Sequence, residues 1–334
     1  MVTLADTSTD AHRAMTDGCA VVDRSERGKL ALTGAEAKEF MQGQVTNDVE
    51  GLEPGSGCYA AFLTHKGKML GDLRILDAGD ELLLDCERVA LQDLFTMIRR
   101  FKLGRDVEVH KRTLECGLLS LIGPDARRVA GATDLPEAEH AHRAGRILPR
   151  AARSSPAWDS PASGAAVRLI ATDLGVDVLC DAADTEPVAA ALIAAGAVPA
   201  AEDAAEVRRV ETGRPRYGVD LDDTVIPQEA GLNERAVSFE KGCYVGQETV
   251  ARLHFRGKPN RHLRGLALSG PAASGDALRL GEREVGRLGS VVASPLHGPI
   301  ALALVRREAQ PGDTVAVGEG GVRAEVVDLP FAQA

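Results

Sequence analysis

After residue 260 the sequence stops offering helices. Six short apolar stretches follow, HLRGLAL, ALRL, EVGRLGSVVAS, IALALV, DTVAVG and GVRAEVVDL, each cut off from the next by Gly, Pro or Asp. Strands this short leave many edge groups unpaired, and the economical solution is closure on themselves or packing face to face. Residues 261–334 are therefore expected to form a small β-barrel or sandwich, with a domain boundary near Asn260. At 334 residues the chain is long for one core, so residues 1–260 should hold further subdomains.

That first region mixes strands and helices. Strands are expected over 29–32, 58–63, 68–76, 81–86, 106–111, 114–122, 167–171 and 175–180. A helix is expected over 35–42, with Gly43 as its stop. Leu91, Leu94, Phe95, Ile98 and Phe101 share one face of a second helix. Two Ala-rich helices should cover 186–195 and 202–212. Strand pairs interrupted by helices read as α+β rather than an alternating parallel α/β sheet. Residues 149–164, rich in Pro, Ser and Ala, read as a surface loop, with Trp158 as a local anchor.

Composition excludes some functions. Net charge is −10 and aromatics are 3% of residues, against the broad cationic surface and stacking platforms of a nucleic-acid binder. The N-terminus lacks a secretory pattern, and the apolar run 187–201 is too short to span a bilayer, so a cytoplasmic protein is expected. The six cysteines lie far apart, so no CxxC zinc site is encoded, and disulfides are not expected in a reducing compartment. Cys58, Cys86, Cys116 and Cys180 sit in apolar strand-like runs and read as packing residues.

Cys243 stands apart. It lies in KGCYVGQE (241–248), just before a run with helical spacing in which Glu248 and Arg252 are four residues apart. A helix N-terminus and the nearby Lys241 would both favour thiolate over thiol. The bland alternative is a tight turn with a space-filling sulfur.

Together with RVETGRPRYGVD and IPQEAGL upstream, KGCYVGQE resembles the signature of the YgfZ family, folate-binding relatives of the glycine-cleavage aminomethyltransferase (T-protein), with mitochondrial counterparts in iron–sulfur cluster assembly. FMQGQVTND (40–48) and CYAAFLTHKGKMLGDLRIL (58–76) resemble further family segments. The resemblance implies an aminomethyltransferase-like body around a central folate cavity, its first subdomain discontinuous, followed by the barrel. It implies a functional thiol at Cys243 with Lys241, in a motif completed by Gly242, Tyr244, Gly246, Gln247, Glu248 and Arg252. For tetrahydrofolate or a derivative it implies contacts from Gln44, Thr46, Asn47, Asp48, Asp72, Arg74, Tyr217 and Glu229. The cluster 44–48 could equally close its own backbone as an Asn-Asp turn.

One departure matters. T-proteins carry two adjacent aspartates after a glycine-rich turn, whereas this chain has Gly71 and Asp72. The loss of the first carboxylate argues against aminomethyl transfer. The resemblance then implies an accessory protein for iron–sulfur assembly, affecting tRNA modification indirectly. It would work with cluster carriers or client proteins and share a transient cluster with one of them. A folate-dependent one-carbon transferase is the alternative. A third reading, direct RNA binding, rests on the basic run ARLHFRGKPNRHLR (251–264), which could also be a solvated linker.

Overall fold

The computed structural model describes residues 4–147 and 164–332. The chain runs through α1 (Leu4–Asp17), β1 (Ala20–Asp23), β2 (Gly28–Thr33), α2 (Ala37–Gln44), β3 (Gly57–Leu63), β4 (Met69–Asp77), β5 (Leu82–Cys86), α3 (Leu91–Phe101), β6 (Glu108–Lys111) and β7 (Cys116–Ile122). It continues with α4 (Ala126–Val129), β8 (His142–Ile147), β9 (Ala165–Thr172), β10 (Gly175–Asp181), α5 (Thr185–Ala194), β11 (Val198–Pro199), α6 (Glu202–Glu211), α7 (Asn233–Ala236) and α8 (Gln247–Arg256). The last six strands are β12 (Arg261–Leu268), β13 (Ala277–Leu280), β14 (Arg283–Ser294), β15 (Gly298–Arg306), β16 (Thr314–Val317) and β17 (Val322–Val327).

These elements make an α+β body of two sheets and a closed barrel. One sheet has the order β3-β4-β5-β2-β6, the other β11-β1-β7-β10-β9-β8. The second is discontinuous in sequence, because β1 joins strands from beyond residue 116. Its pairings are antiparallel except β1 with β11. The barrel runs β12-β15-β14-β13-β16-β17 and closes through β12 and β17. Leu266, Leu278, Val285, Val315 and Val326 fill its interior. Pairing the first strand to the last removes both edges, which explains how strands of four residues are stable there.

The main core of the body lies on one face of the five-stranded sheet, where Leu30, Phe62, Leu73 and Ile75 meet Phe40, Met41, Leu94 and Ile98 from α2 and α3. Three features differ from the sequence reading. The strands β1 and β8 and the amphipathic α1 were not expected, because their short or polar-rich stretches carry weak periodicity. Phe101, expected on the buried stripe of α3, is exposed, since it closes the last turn beyond the sheet. Helix α2 passes through Gly43 and ends at Gln44, its Val45 N–H bonding Met41 O. Gly43 is not in a left-handed conformation; the stop comes from elsewhere in the chain, as described below. Trp158 and its loop lie outside the described residues. No helix among the described residues is long and apolar enough to cross a membrane.

Candidate functional site

The two sheets of the body face one another across a cavity of about 210 Å³, partly open to solvent. Strand register builds its floor. In β4, Asp72 and Arg74 are two residues apart and so point to one side of the sheet. Arg74 pairs across the strands with Tyr59 of β3 and with Asp85 of β5. The Tyr59 hydroxyl donates to Asp72 Oδ2 at 2.9 Å, a diagonal cross-strand contact. Arg74 donates to Asp85 at 2.8 Å and, across the gap between sheets, to Asp177 of β10 at 2.7 Å. Arg27 also donates to Asp85, at 2.9 Å.

Seven arginines and six carboxylates line the space, a balance that favours a ligand carrying negative charge. Most of these groups are already paired with one another: Arg235 with Glu139, Arg214 with Asp173, Arg27 with Glu87. Asp72 behaves differently. Burial pushes its carboxyl up to about 6, opposed by the hydrogen bond from Tyr59 and assisted by nearby Glu87. Asp85 goes the other way: burial works against its charge, but Arg27 and Arg74 hold it below the ordinary carboxylate value. One carboxyl of the cavity is thus near its titration point at neutral pH while its neighbour stays ionised.

The glycine beside Asp72 does not face this space. A Cβ at Gly71 would lie 2.6 Å from the Phe62 ring and 2.7 Å from Ala90 Cβ. Its position backs onto the apolar core, because successive residues of a strand point to opposite faces. The sequence reading weighed Gly71 as a missing carboxylate of the site. In the structure the carboxylate that β4 presents to the cavity is Asp72.

His140 completes the lining, and no motif or periodicity marks it in the sequence. It is 8% exposed, and neither ring nitrogen has a hydrogen-bond partner among the described residues. Glu139 lies 3.5 Å from Nε2 without hydrogen-bond geometry. Burial, with Arg74 and Arg235 close by, pushes the imidazole down to about 3, so it is neutral. Its backbone has φ of 70°, the single non-glycine residue with positive φ among those described. Left-handed backbone costs a side-chain-bearing residue about 1–2 kcal/mol, and an unpartnered buried polar group about 1–3 kcal/mol.

The other expected site residues fall into three places. Asp72, Arg74 and Tyr217 line the cavity. Thr46, Asn47 and Asp48 do not. Thr46 Oγ1 donates to Ala236 O and accepts from Ala61 N–H, Asn47 donates to the carbonyls of Tyr59 and Arg235, and Asp48 accepts from Gln42. The segment clamps β3 to α7 through bonds to other segments rather than by closing its own backbone. Gln44 faces a separate cleft with His65, Arg100 and Val245. Glu229 is buried and held by Arg261 at 2.8 Å, fastening the body to the first barrel strand.

The KGCYVGQE turn has its own construction. Lys241 Nζ donates to the carbonyls of Gln42, Val45 and Asn47 at 2.6, 2.8 and 2.7 Å. All three ammonium hydrogens are therefore spent, and this is what ends α2. Burial pushes Lys241 down to about 8, with Asp48 opposing. Tyr244 is buried with Lys241 over its ring. Gly246 has φ of 85° and opens α8. Cys243 is exposed, three residues ahead of that opening, and outside the cavity lining. The Lys241 ammonium spends its hydrogens on the three carbonyls, not on the thiol. Gly242 is exposed; Gln247 reaches back to Gly242 O at 3.5 Å, and Gln247 N–H bonds Tyr244 O. Glu248 and Arg252 are both exposed.

Sequence could have found part of this lining. Asp72, Arg74, Asp85 and Asp177 are charged residues inside apolar strands, a placement that needs a partner or a ligand. The remaining cysteines are raised by burial, Cys58 to about 12 and Cys19 to about 11. Among the described residues no group of three or more His, Cys, Asp or Glu is arranged to hold a metal ion.

Comparison with known proteins gives consistent matches over the whole chain. Residues 3–241 match the GCVT N-terminal domain and residues 261–333 the glycine cleavage T-protein C-terminal barrel domain. An aminomethyltransferase of Rubrobacter xylanophilus is 30% identical over 328 residues, covering 96% of this chain and 85% of that protein. A chloroplastic protein of Arabidopsis thaliana is 28% identical over 332 residues, covering 96% of this chain and 74% of its own length. The crystal structure of the glycine cleavage system aminomethyltransferase T from Bartonella henselae superposes with a TM-score of 0.80 at 21% identity, covering 97% of this chain and 89% of that one, a likeness of fold.

Proposed function

Since the chain belongs to the glycine cleavage T-protein family, we propose that it binds a tetrahydrofolate in the cavity between its two sheets and acts there on a one-carbon unit. One observation carries this reading: a buried carboxyl, Asp72, faces the cavity close to its titration point, bonded on one oxygen by Tyr59. Transfer to or from a folate amine requires a group that can hold a proton near that nitrogen and release it. Asp72 Oδ1 is suited to that exchange while Tyr59 fixes Oδ2. The lining fits such a ligand in two further respects. Arginines match the carboxylates of a glutamate tail, and Arg74 Nε is buried without a partner, a donor awaiting an acceptor. Bound tetrahydrofolate would supply the nitrogen that carries the one-carbon unit.

A second reading is favoured by Cys243. An exposed thiol stands on a turn held by three lysine hydrogen bonds and a left-handed glycine, outside the cavity. That suits a YgfZ-type accessory role in iron–sulfur cluster assembly, with the thiol meeting a partner. Clusters normally take four ligands, so the partner would supply the rest. Effects on tRNA modification would follow through iron–sulfur enzymes.

One experiment separates these. Tetrahydrofolate binding and one-carbon turnover are measured for the wild type and Cys243→Ser, with iron–sulfur enzyme activities in cells carrying each. Turnover retained by Cys243→Ser supports the transferase. Binding without turnover, and client activity lost in Cys243→Ser, supports the accessory role. No binding by the wild type removes the folate reading.

A further inference from the structure

We propose that His140 is a ligand-contacting, specificity-determining residue of the cavity, its imidazole set to hydrogen-bond the amide-like edge of a heterocycle. Where tetrahydrofolate is the ligand, that edge is the pyrimidinone of its pterin; to that extent the inference rests on the function proposed above.

The position is built with care. The His140 N–H donates to Ala171 O at 2.9 Å, tying the residue to the end of β9 in one sheet. A Cβ on Gly57 of β3, in the other sheet, would stand 3.0 Å from His140 Cβ, so a glycine there lets the histidine sit at the seam. The residue, with its left-handed backbone, stands in the wall of the cavity, its ring nitrogens just beneath the surface. Nothing among the described residues uses what the ring offers, since both nitrogens are buried and unbonded. The carboxylates around it are engaged: Asp85 and Asp177 by Arg74, Glu139 by Arg235, Asp72 by Tyr59. His140 is thus an uncommitted acceptor in this wall, and Arg74 Nε an uncommitted donor beside it. A ligand offering an N–H next to a C=O answers both at once. Between two arginines the imidazole stays uncharged, so it recognises a neutral group and leaves anions to the arginines.

The test is affinity for tetrahydrofolate by calorimetry in the wild type, His140→Phe and His140→Gln, with histidine ring ¹⁵N spectra during titration. A parallel panel of guanine, uracil and 6-methylpterin probes the amide edge without the tail. His140→Phe keeps the ring's bulk and loses both nitrogens, and should bind at least about tenfold more weakly, the scale of one lost hydrogen bond. His140→Gln should recover part of the loss, and the His140 ring nitrogens should shift on binding. Wild-type and His140→Phe affinities within twofold, with unshifted ring nitrogens, overturn the assignment and leave the folate reading standing. A wild type that ignores tetrahydrofolate but takes a panel compound through His140 does the reverse. A wild type that binds none of them overturns both.

Discussion

Asp72 shows how one buried carboxyl trades stability for chemistry. Its folded value, about 6, stands above the ordinary 3.8. Between those two values the folded chain keeps a proton that the unfolded chain releases, so stability falls as pH rises through this window. The loss is complete above about 6 and absent below about 3.8; at 1.36 kcal/mol per unit it amounts to roughly 3 kcal/mol at neutral pH. Asp72→Asn keeps an oxygen for the Tyr59 hydroxyl and removes the charge. We expect it to be more stable than wild type by about 1–3 kcal/mol near pH 7.5 and little changed near pH 4, read from urea midpoints at both. Parallel pH dependence in the two proteins would place the titration elsewhere. The same substitution should abolish one-carbon turnover while sparing much of the folate affinity. Asp72 sits in an apolar strand where its charge is conspicuous in sequence; His140 follows Glu139 in a loop where nothing local distinguishes it from a surface histidine.

At the scale of elements, the KGCYVGQE segment is a joint. Lys241 closes the carbonyl end of α2, and Gly246 opens α8 against the turn at residues 64–67. A Cβ at Gly246 would lie 2.6 Å from Thr64 O and 3.1 Å from Gly67 Cα, on a backbone with φ of 85°. Gly246→Ala should therefore cost about 2–4 kcal/mol, the left-handed strain added to overpacking against backbone. Thermal melts would show the loss, and limited proteolysis should cut first near α8. An unchanged melt would mean that the turn yields easily. The motif was visible as a motif, and its glycines as turn formers. That its lysine serves a helix two hundred residues earlier was not visible, because the three carbonyls it binds are backbone atoms that any sequence supplies.

At the scale of the molecule, α6 and the segment after it bind the barrel to the body. Asp220 accepts hydrogen bonds from Arg209 at 2.9 Å, from the Ser290 N–H of β14 at 2.7 Å and from Arg216 N–H at 2.9 Å. A second knot joins Glu211 of α6 to His12 of α1 and Ser294 of β14. Asp220→Ala leaves Arg209 its pairing with Glu206 but strips the Ser290 and Arg216 N–H groups of their acceptor, at about 1–3 kcal/mol for a buried group left unpaired. Asp220→Ala should lose stability on that scale and split a single unfolding transition into two, with the barrel separating from the body. Calorimetry decides it; one sharp transition would show that the apolar contacts around Val210, Ile300 and Leu302 hold the barrel by themselves.

The sequence by itself determined the all-β character of residues 261–334, the α+β character of the body and most of its strands, because periodicity and turn residues act over a few residues; the closure of the barrel came from the pairing of β12 with β17. The sequence also marked a motif that places the chain in its superfamily. What only the tertiary structure decided is which polar groups meet. Gly71 turned inward, Thr46 and Asn47 bound to backbone, Lys241 spent on a helix end and His140 left unbonded at a seam all depend on pairings between segments tens to hundreds of residues apart. Hydrogen bonds are short-ranged and directional, so their partners are fixed only when register and packing bring those segments within about 3 Å.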